Sequence, residues 1–212
     1  MDEQASTTRT RDRERTREAL LDAAETLFAT RGYEAASLEE IARAAGFSRG
    51  TPGYLFGSKL RLYEAVLERA FADELALVGG KLAEAAAAGR GPEAELVAVI
   101  EGLIDFADAR PNVLRLIERE ALGASPGRAG QAGISRAMRD GLTVTADLLS
   151  RGPFRPVDPA HLVLDLLALC WFPAVHTETF VRGLGLIPDG AAYKAERKRL
   201  VAEMVLRGIK TA

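Results

Sequence analysis

The stretch Ser37-Leu38-Glu39-Glu40-Ile41-Ala42-Arg43-Ala44-Ala45-Gly46-Phe47-Ser48-Arg49-Gly50-Thr51-Pro52-Gly53-Tyr54-Leu55-Phe56-Gly57-Ser58-Lys59 decides how this chain folds. Ser37 and Glu40 are spaced as a capping box, in which each side chain takes the other residue's backbone N–H. Leu38, Ile41, Ala42 and Ala45 then fall on one helical face, and Gly46 ends the helix. Ser48 is placed to cap a short helix that reaches about Phe56. Gly57-Ser58 breaks and recaps the chain, and a long helix starts near Lys59 with Leu62, Tyr63, Val66, Leu67, Ala70 and Phe71 as its apolar positions. Two short helices joined by a glycine turn make a helix-turn-helix, whose second helix enters the DNA major groove with its N-terminal residues toward base edges.

Upstream, Leu20, Ala23, Ala24, Leu27 and Phe28 form a stripe at three- and four-residue spacing, closed by Gly32. This stripe predicts a first helix from about Arg13, packed on the next two as a three-helix head. Met1 to about Arg9 is polar and aperiodic and is expected to be disordered. On the third helix Arg49 has the geometry to bond two acceptors of a guanine. Thr51 and Tyr54 can donate to phosphates, and Lys59 can face one as a point charge. Arg13, Arg15 and Arg17 lead into the first helix beside the same surface; Arg15 and Arg17 join the expected DNA contacts, with a solubilising tail as the other reading.

The quoted run, with Ala23-Ala24-Glu25-Thr26-Leu27-Phe28-Ala29-Thr30-Arg31-Gly32-Tyr33 before it, resembles the tetracycline-repressor (TetR) family of bacterial regulators over about residues 15 to 63. That resemblance implies base or phosphate contacts at Ser37, Arg49, Gly50, Thr51, Tyr54 and Lys59. It further implies a homodimer on a roughly palindromic DNA operator, a fourth helix that couples a ligand site to the DNA heads, and a dimer bundle built from the last two helices. One departure stands out. Where the family commonly has Gly-Thr-Leu-Tyr, this chain has Gly50-Thr51-Pro52-Gly53. Proline removes a backbone donor, and glycine costs a helix interior about 1 kcal/mol relative to alanine. A recognition helix that is loose alone and orders on DNA is the expectation.

The rest of the chain reads as helices over about Glu93 to Ala109, Pro111 to Leu122, Ile134 to Ser150, Pro159 to Arg182 with a kink at Pro173, and Gly190 to Arg207. Loops are expected at Gly123 to Gly133 and Arg151 to Pro156. No run of alternating β-branched residues competes. The expected fold is all-α: a helix-turn-helix head over 1–60 and a helical ligand-sensing and dimerisation domain over 61–212. Trp171, Phe172, His176 and Phe180 surround the kink. With Leu103, Phe106 and Met138 they are candidate linings of a pocket for a small apolar or amphipathic effector. Ordinary core and dimer interface are the competing readings.

Composition narrows the function classes. Hydrophobic residues make up 48% of 212, enough for a sizeable core. Cys170 is the only cysteine, which excludes an internal disulfide and suits a cytoplasmic protein. The first residues carry no basic-then-apolar signal. The most apolar stretch, Leu162 to Val175, falls short of the roughly 20 residues a membrane span needs. A net charge of −2 does not advertise nucleic-acid binding, so the placement of charge must carry it. Asp158, His161 and Asp165 read as a helix-end ion pair and not as a metal site. There is no glycine-rich phosphate loop and no serine-histidine-acid grouping, so neither cofactor nor catalysis is expected. The reading is a ligand-released, dimeric DNA-binding repressor. A DNA-binding architectural protein without a ligand and a helical enzyme are its rivals.

Overall fold

The computed structural model describes residues 2–122, 131–188 and 190–211, with side chains described from Thr10 onward and not for 131–134. Its regular elements are helices: α1 (Asp2–Arg31), α2 (Leu38–Ala44), α3 (Thr51–Phe56), α4 (Lys59–Ala87), α5 (Gly91–Ala109), α6 (Pro111–Ala121), α7 (Gln131–Arg151), α8 (Pro159–Val175) and α9 (Ala191–Ile209). Among the described residues strand-like pairing is confined to one isolated bridge, Phe154 with Lys210. No single helix among them is long and apolar enough to cross a membrane. The chain divides into two compact units, Met1–Ala70 with Arg115–Gly133, and Phe71–Leu114 with Ile134–Ala212. Helices α4 and α6 therefore each begin in one unit and end in the other.

In the first unit α1 buries Leu20, Leu21, Ala24 and Phe28, α2 buries Ile41 and Ala42, and α4 buries Leu62, Tyr63, Val66 and Leu67. Phe28 meets Tyr63 edge-on at 5.2 Å between ring centroids and stacks on Tyr33 at 5.8 Å. The Tyr63 hydroxyl donates to Glu120 on α6 at 2.6 Å. Helix α1 starts at Asp2, where the sequence predicted disorder to about Arg9. No glycine or proline precedes Gly32, and once a helix is nucleated each added residue gains a hydrogen bond at little further cost.

Helix α2 carries the expected box. The Glu40 N–H donates to Ser37 Oγ at 3.2 Å, and the Ser37 N–H donates to Glu40 Oε2 at 3.1 Å. Gly46 then turns the chain at φ +78°, a left-handed conformation that favours glycine. Helix α3 departs from expectation, since it starts at Thr51 with Gly50 as its N-cap and no side-chain cap. Ser48 instead holds the turn before it: its carbonyl accepts the Thr51 N–H at 3.0 Å and its hydroxyl lies 2.9 Å from that of Thr51. Pro52 occupies the first turn, where its missing N–H has no intrahelical acceptor to lose. A β-carbon on Gly53 would meet nothing within 4 Å, so packing does not demand the glycine.

The second unit is built around α5. Its Leu96, Val99, Ile100, Leu103 and Ile104 pack with Leu162, Leu166 and Cys170 of α8 and with Val201, Val205 and Ile209 of α9. Gly102 admits α4 closely, since a β-carbon there would stand 2.9 Å from Val78 Cα. Helix α7 begins at Gln131, inside the stretch expected to be a loop. Residues 123–130 of that expected loop lie outside the described residues. Helix α8 ends at Val175, short of the expected Arg182, and continues as a π turn over Thr177–Val181 and a 3-10 turn over Arg182–Leu184. Pro173 removes one backbone donor, and the Thr177 hydroxyl bonds the carbonyls of Pro173 and Ala174 at 3.0 and 3.1 Å. Both disturb the regular ladder and end it there.

Candidate nucleic-acid interface and sensor residues

Helix α3 and the turn before it carry four of the predicted DNA residues. Arg49 has 82% of its side chain exposed, and its ion contact with Glu39, at 3.6 Å, is too open to hold it firmly. Gly50 is exposed, Thr51 half-buried, and Tyr54 stands 82% in solvent. An arginine fork and a phenol hydroxyl presented from a short helix and the turn before it are donors aimed outward, which suits base-edge and phosphate acceptors.

Ser37 is held at the start of α2, where its hydroxyl donates to Glu40 Oε2 at 2.9 Å. Those serine hydrogen bonds, and then Arg31 at 2.8 Å, keep the Glu40 carboxyl below its ordinary pKa. Lys59 is turned inward. Its ammonium donates to the carbonyls of Tyr33, Ala36 and Glu34 at 2.8, 3.2 and 3.4 Å and sits 4.2 Å from the Tyr33 ring centre. Three donors and three acceptors leave it holding the α1–α2 turn. Arg17 lies over the Phe56 ring at the end of α3, 5.6 Å from its centre. Arg15 is two residues away and thus about 160° around the helix, on the side that carries Glu18, Asp22 and Glu25.

That acidic side holds a residue the sequence reading missed. Arg69 of α4 is only 15% exposed and pairs with Glu18 at 3.0 Å, Asp22 at 2.7 Å and Glu25 at 3.1 Å. Burial alone would lower its pKa, yet the hydrogen bonds to Glu18 and Asp22 raise it. The signal was present as three carboxylates at i, i+4 and i+7, a stripe that needs a cation.

Among the seven predicted ligand residues, two sets of rings meet, Phe106 with Trp171 and Phe172 with His176 and Phe180. Leu103 and Phe106 are buried on α5, and Trp171 lies 6.4 Å from Phe106 between ring centres. The indole Nε1 of Trp171 is buried and has no acceptor among the described residues. Met138 is half-buried on α7. Phe172, His176 and Phe180 form an outward cluster with centroids 4.3, 5.4 and 5.5 Å apart, the two phenylalanines 48% and 54% exposed. Leu164 of α8 and Leu200 and Met204 of α9 are exposed too.

A cleft of about 30 Å³, room for about one water, is lined by Ile104, Asp108, Cys170, Thr177, Lys194 and Arg197, among others. The Arg197 Nε is buried there without an acceptor, while Nη2 donates to the Leu169 carbonyl at 2.7 Å. Burial pushes the Cys170 thiol up to about 12, so it is no thiolate nucleophile. Asp158 caps α8 by accepting the Ala160 N–H at 2.8 Å. Glu74, on α4, is buried, and burial raises its carboxyl to about 7.

Comparisons with known proteins follow this division. The family profile described as bacterial regulatory proteins, tetR family, matches residues 20–66. A second, described as a tetracyclin repressor-like C-terminal domain, matches residues 92–205. The chain is 36% identical over 104 residues to the HTH-type transcriptional repressor KstR2 of Rhodococcus jostii, covering 49% of each protein. It is 35% identical over 140 residues to the HTH-type transcriptional activator FasR of Mycolicibacterium smegmatis, covering 66% of this chain and 61% of FasR. The matches thus span about half to three-fifths of the length of these two relatives. In fold it is similar to AibR, whose crystal structure holds isovaleryl coenzyme A and operator DNA, with a TM-score of 0.69 over 89% of this chain and 97% of AibR at 20% identity. With its N-terminal and C-terminal parts both matched, this chain belongs to the tetR family of bacterial regulatory proteins.

Proposed function

We propose that the protein is a cytoplasmic, homodimeric repressor that binds a palindromic DNA operator through α3 and releases it when a small apolar or amphipathic effector binds the second unit. The observation that carries this reading is the outward presentation of Tyr54 from α3 and of Arg49 from the turn before it. Two such helices must stand about 34–36 Å apart to enter successive major grooves. An effector that prefers a dimer with another spacing lowers DNA affinity, and by linkage DNA lowers effector affinity by the same factor. Repression needs only that the promoter be occupied, with no further contact surface.

Three features support the other parts. The exposed Leu164 and Phe172 of α8 and Leu200 and Met204 of α9 suit a bundle with a second copy. The orphaned Trp171 N–H beside Phe106 suits an effector acceptor within an apolar lining. AibR, similar in fold, is named with both an acyl thioester and operator DNA. The test is selection of bound sequences from a random duplex pool, with Arg49→Ala and Tyr54→Ala alongside. An inverted repeat enriched by the native protein and lost with the variants is expected. No enrichment at any salt would sink the proposal.

A further inference from the structure

Helix α1 carries two stripes that part company before Leu20. The first, Phe28, Ala24 and Leu21, is the face buried in the first unit, and going backward by four residues it continues as Arg17 and then Arg13. The second is Glu25, Asp22 and Glu18, which hold Arg69 and continue backward as Arg15 and Arg11. The stem of the first stripe is fixed, because the Arg17 guanidinium lies over Phe56 at the end of α3. Arg13 stands one turn further out, about 6 Å along the axis and about 40° around it. It is exposed, on an unbroken helix that begins at Asp2.

The surroundings of these arginines differ. Residues three and four positions away are neighbours on a helix surface. For Arg13 they are Arg9, Thr10, Thr16 and Arg17, with no carboxylate among them. Arg15 has Asp12 and Glu18 at those spacings, and Arg11 has Glu14. Carboxylates thus stand one turn away from the arginines of the Arg69 side, whereas Arg13 has none at that spacing and Arg17, one turn on, pairs with Glu18 at 3.3 Å. Although the chain as a whole is at −2, this strip is locally cationic.

We propose that the N-terminal part of α1 is a rigid second DNA-binding element, in which Arg13 contacts a backbone phosphate of the duplex outside the groove that α3 enters. Arg17 positions it by anchoring α1 to the end of α3. The contact fixes register and adds affinity without reading bases. It rests on the operator reading above, and its partner is the same duplex.

The test uses the full-length protein and the duplex selected from the random pool, comparing Arg13→Gln with Arg11→Gln. Both remove one exposed charge from the same helix, and circular dichroism confirms that neither unfolds it. Each phosphate contact contributes about 0.9 to the slope of log affinity against log salt. R13Q is expected to flatten that slope by about 1.8, one contact from each of two subunits, and to narrow the hydroxyl-radical footprint at its outer edges. R11Q is expected to leave both unchanged. An unchanged R13Q slope, or equal flattening by the two variants, overturns the second element while leaving the operator reading intact. Failure of the native protein to bind any duplex overturns both.

Discussion

Polar groups in the first unit are mostly engaged from within. The Lys59 ammonium has three carbonyls, Arg69 has three carboxylates, and Ser37 with Glu40 closes α2 on itself. What it turns outward at α3 and in the turn before it is Tyr54 and Arg49. The second unit has a different balance. Trp171 and Arg197 keep buried nitrogens without acceptors among the described residues, as Arg69 Nε does in the first unit, Glu74 is buried, and Phe172, Phe180, Leu200 and Met204 face solvent. An unmet buried donor costs about 1–3 kcal/mol. A unit that carries such groups gains from whatever meets them, whereas the first unit holds its donors in place for a partner of fixed shape. The first unit turns donors outward; the second carries two of the three unmet buried nitrogens among the described residues.

The strongest way to break that contrast is at the outward aromatics. Replacing Phe172 and Phe180 by serine should weaken the dimer by about 4 kcal/mol, roughly a thousandfold in Kd, from four half-exposed phenylalanines across two subunits. Sedimentation at graded concentrations reads it. A dimer that survives would mean these rings serve something else. Next comes Glu74. Its folded pKa near 7 lies above the ordinary 4.5, so between those values the folded protein holds a proton the unfolded chain has released. Stability then falls as pH rises through that window and levels off above it, by about 3 kcal/mol in all. Denaturant titrations should show Glu74→Gln gaining on the native protein by that amount from pH 4.5 to 8. A gap that stays constant with pH would place the carboxyl in contact with water or a cation.

Within the first unit, Lys59→Met should cost about 2 kcal/mol of stability through its lost charge-assisted hydrogen bonds, whereas Arg49→Ala should leave the melting curve in place. If Lys59→Met melts like the native protein and loses only DNA affinity, the inward position is not the one it uses. The smallest effect expected is at Gly53. Alanine meets no obstacle there, so Gly53→Ala should stabilise α3 by about 0.5–1 kcal/mol, read as slower amide exchange over Thr51–Phe56. Weaker DNA binding by that same variant would show that the glycine serves a close approach of the duplex.

Much of the first unit is legible in sequence because its signals are local. Ser37 and Glu40 stand three residues apart, Gly46 turns the chain where it stands, and the stripe of α1 repeats every turn. What escaped was the inward turn of Lys59, since its acceptors Tyr33 and Ala36 lie 26 and 23 residues away. The start of α3 escaped too: Ser48 has the chemistry of a cap, but Pro52 sets the first turn two residues beyond Gly50. In the second unit the helices were readable from periodicity, whereas the facing of Phe172, His176 and Phe180 was not. Aromatic residues near a proline look the same in sequence whether they line a cavity or stand in solvent. The π turn after Val175 depends on how the Thr177 hydroxyl chooses among carbonyls, which spacing does not reveal.

Helix α6 has a consequence for how such regulators can be recombined. Its last turns belong to the first unit, where Glu120 accepts from Tyr63 and Arg119 reaches the Thr30 carbonyl at 3.5 Å. The first unit is thus two pieces of chain separated by residues 71–114 of the second. A hybrid that joins this reader to a foreign sensor by one cut after Ala70 inherits a foreign α6. Its Tyr63 and α1–α2 turn then meet side chains selected against another reader. Exchange of specificity by a single crossover therefore requires matched residues at 63 and 120, or a graft that carries both pieces together.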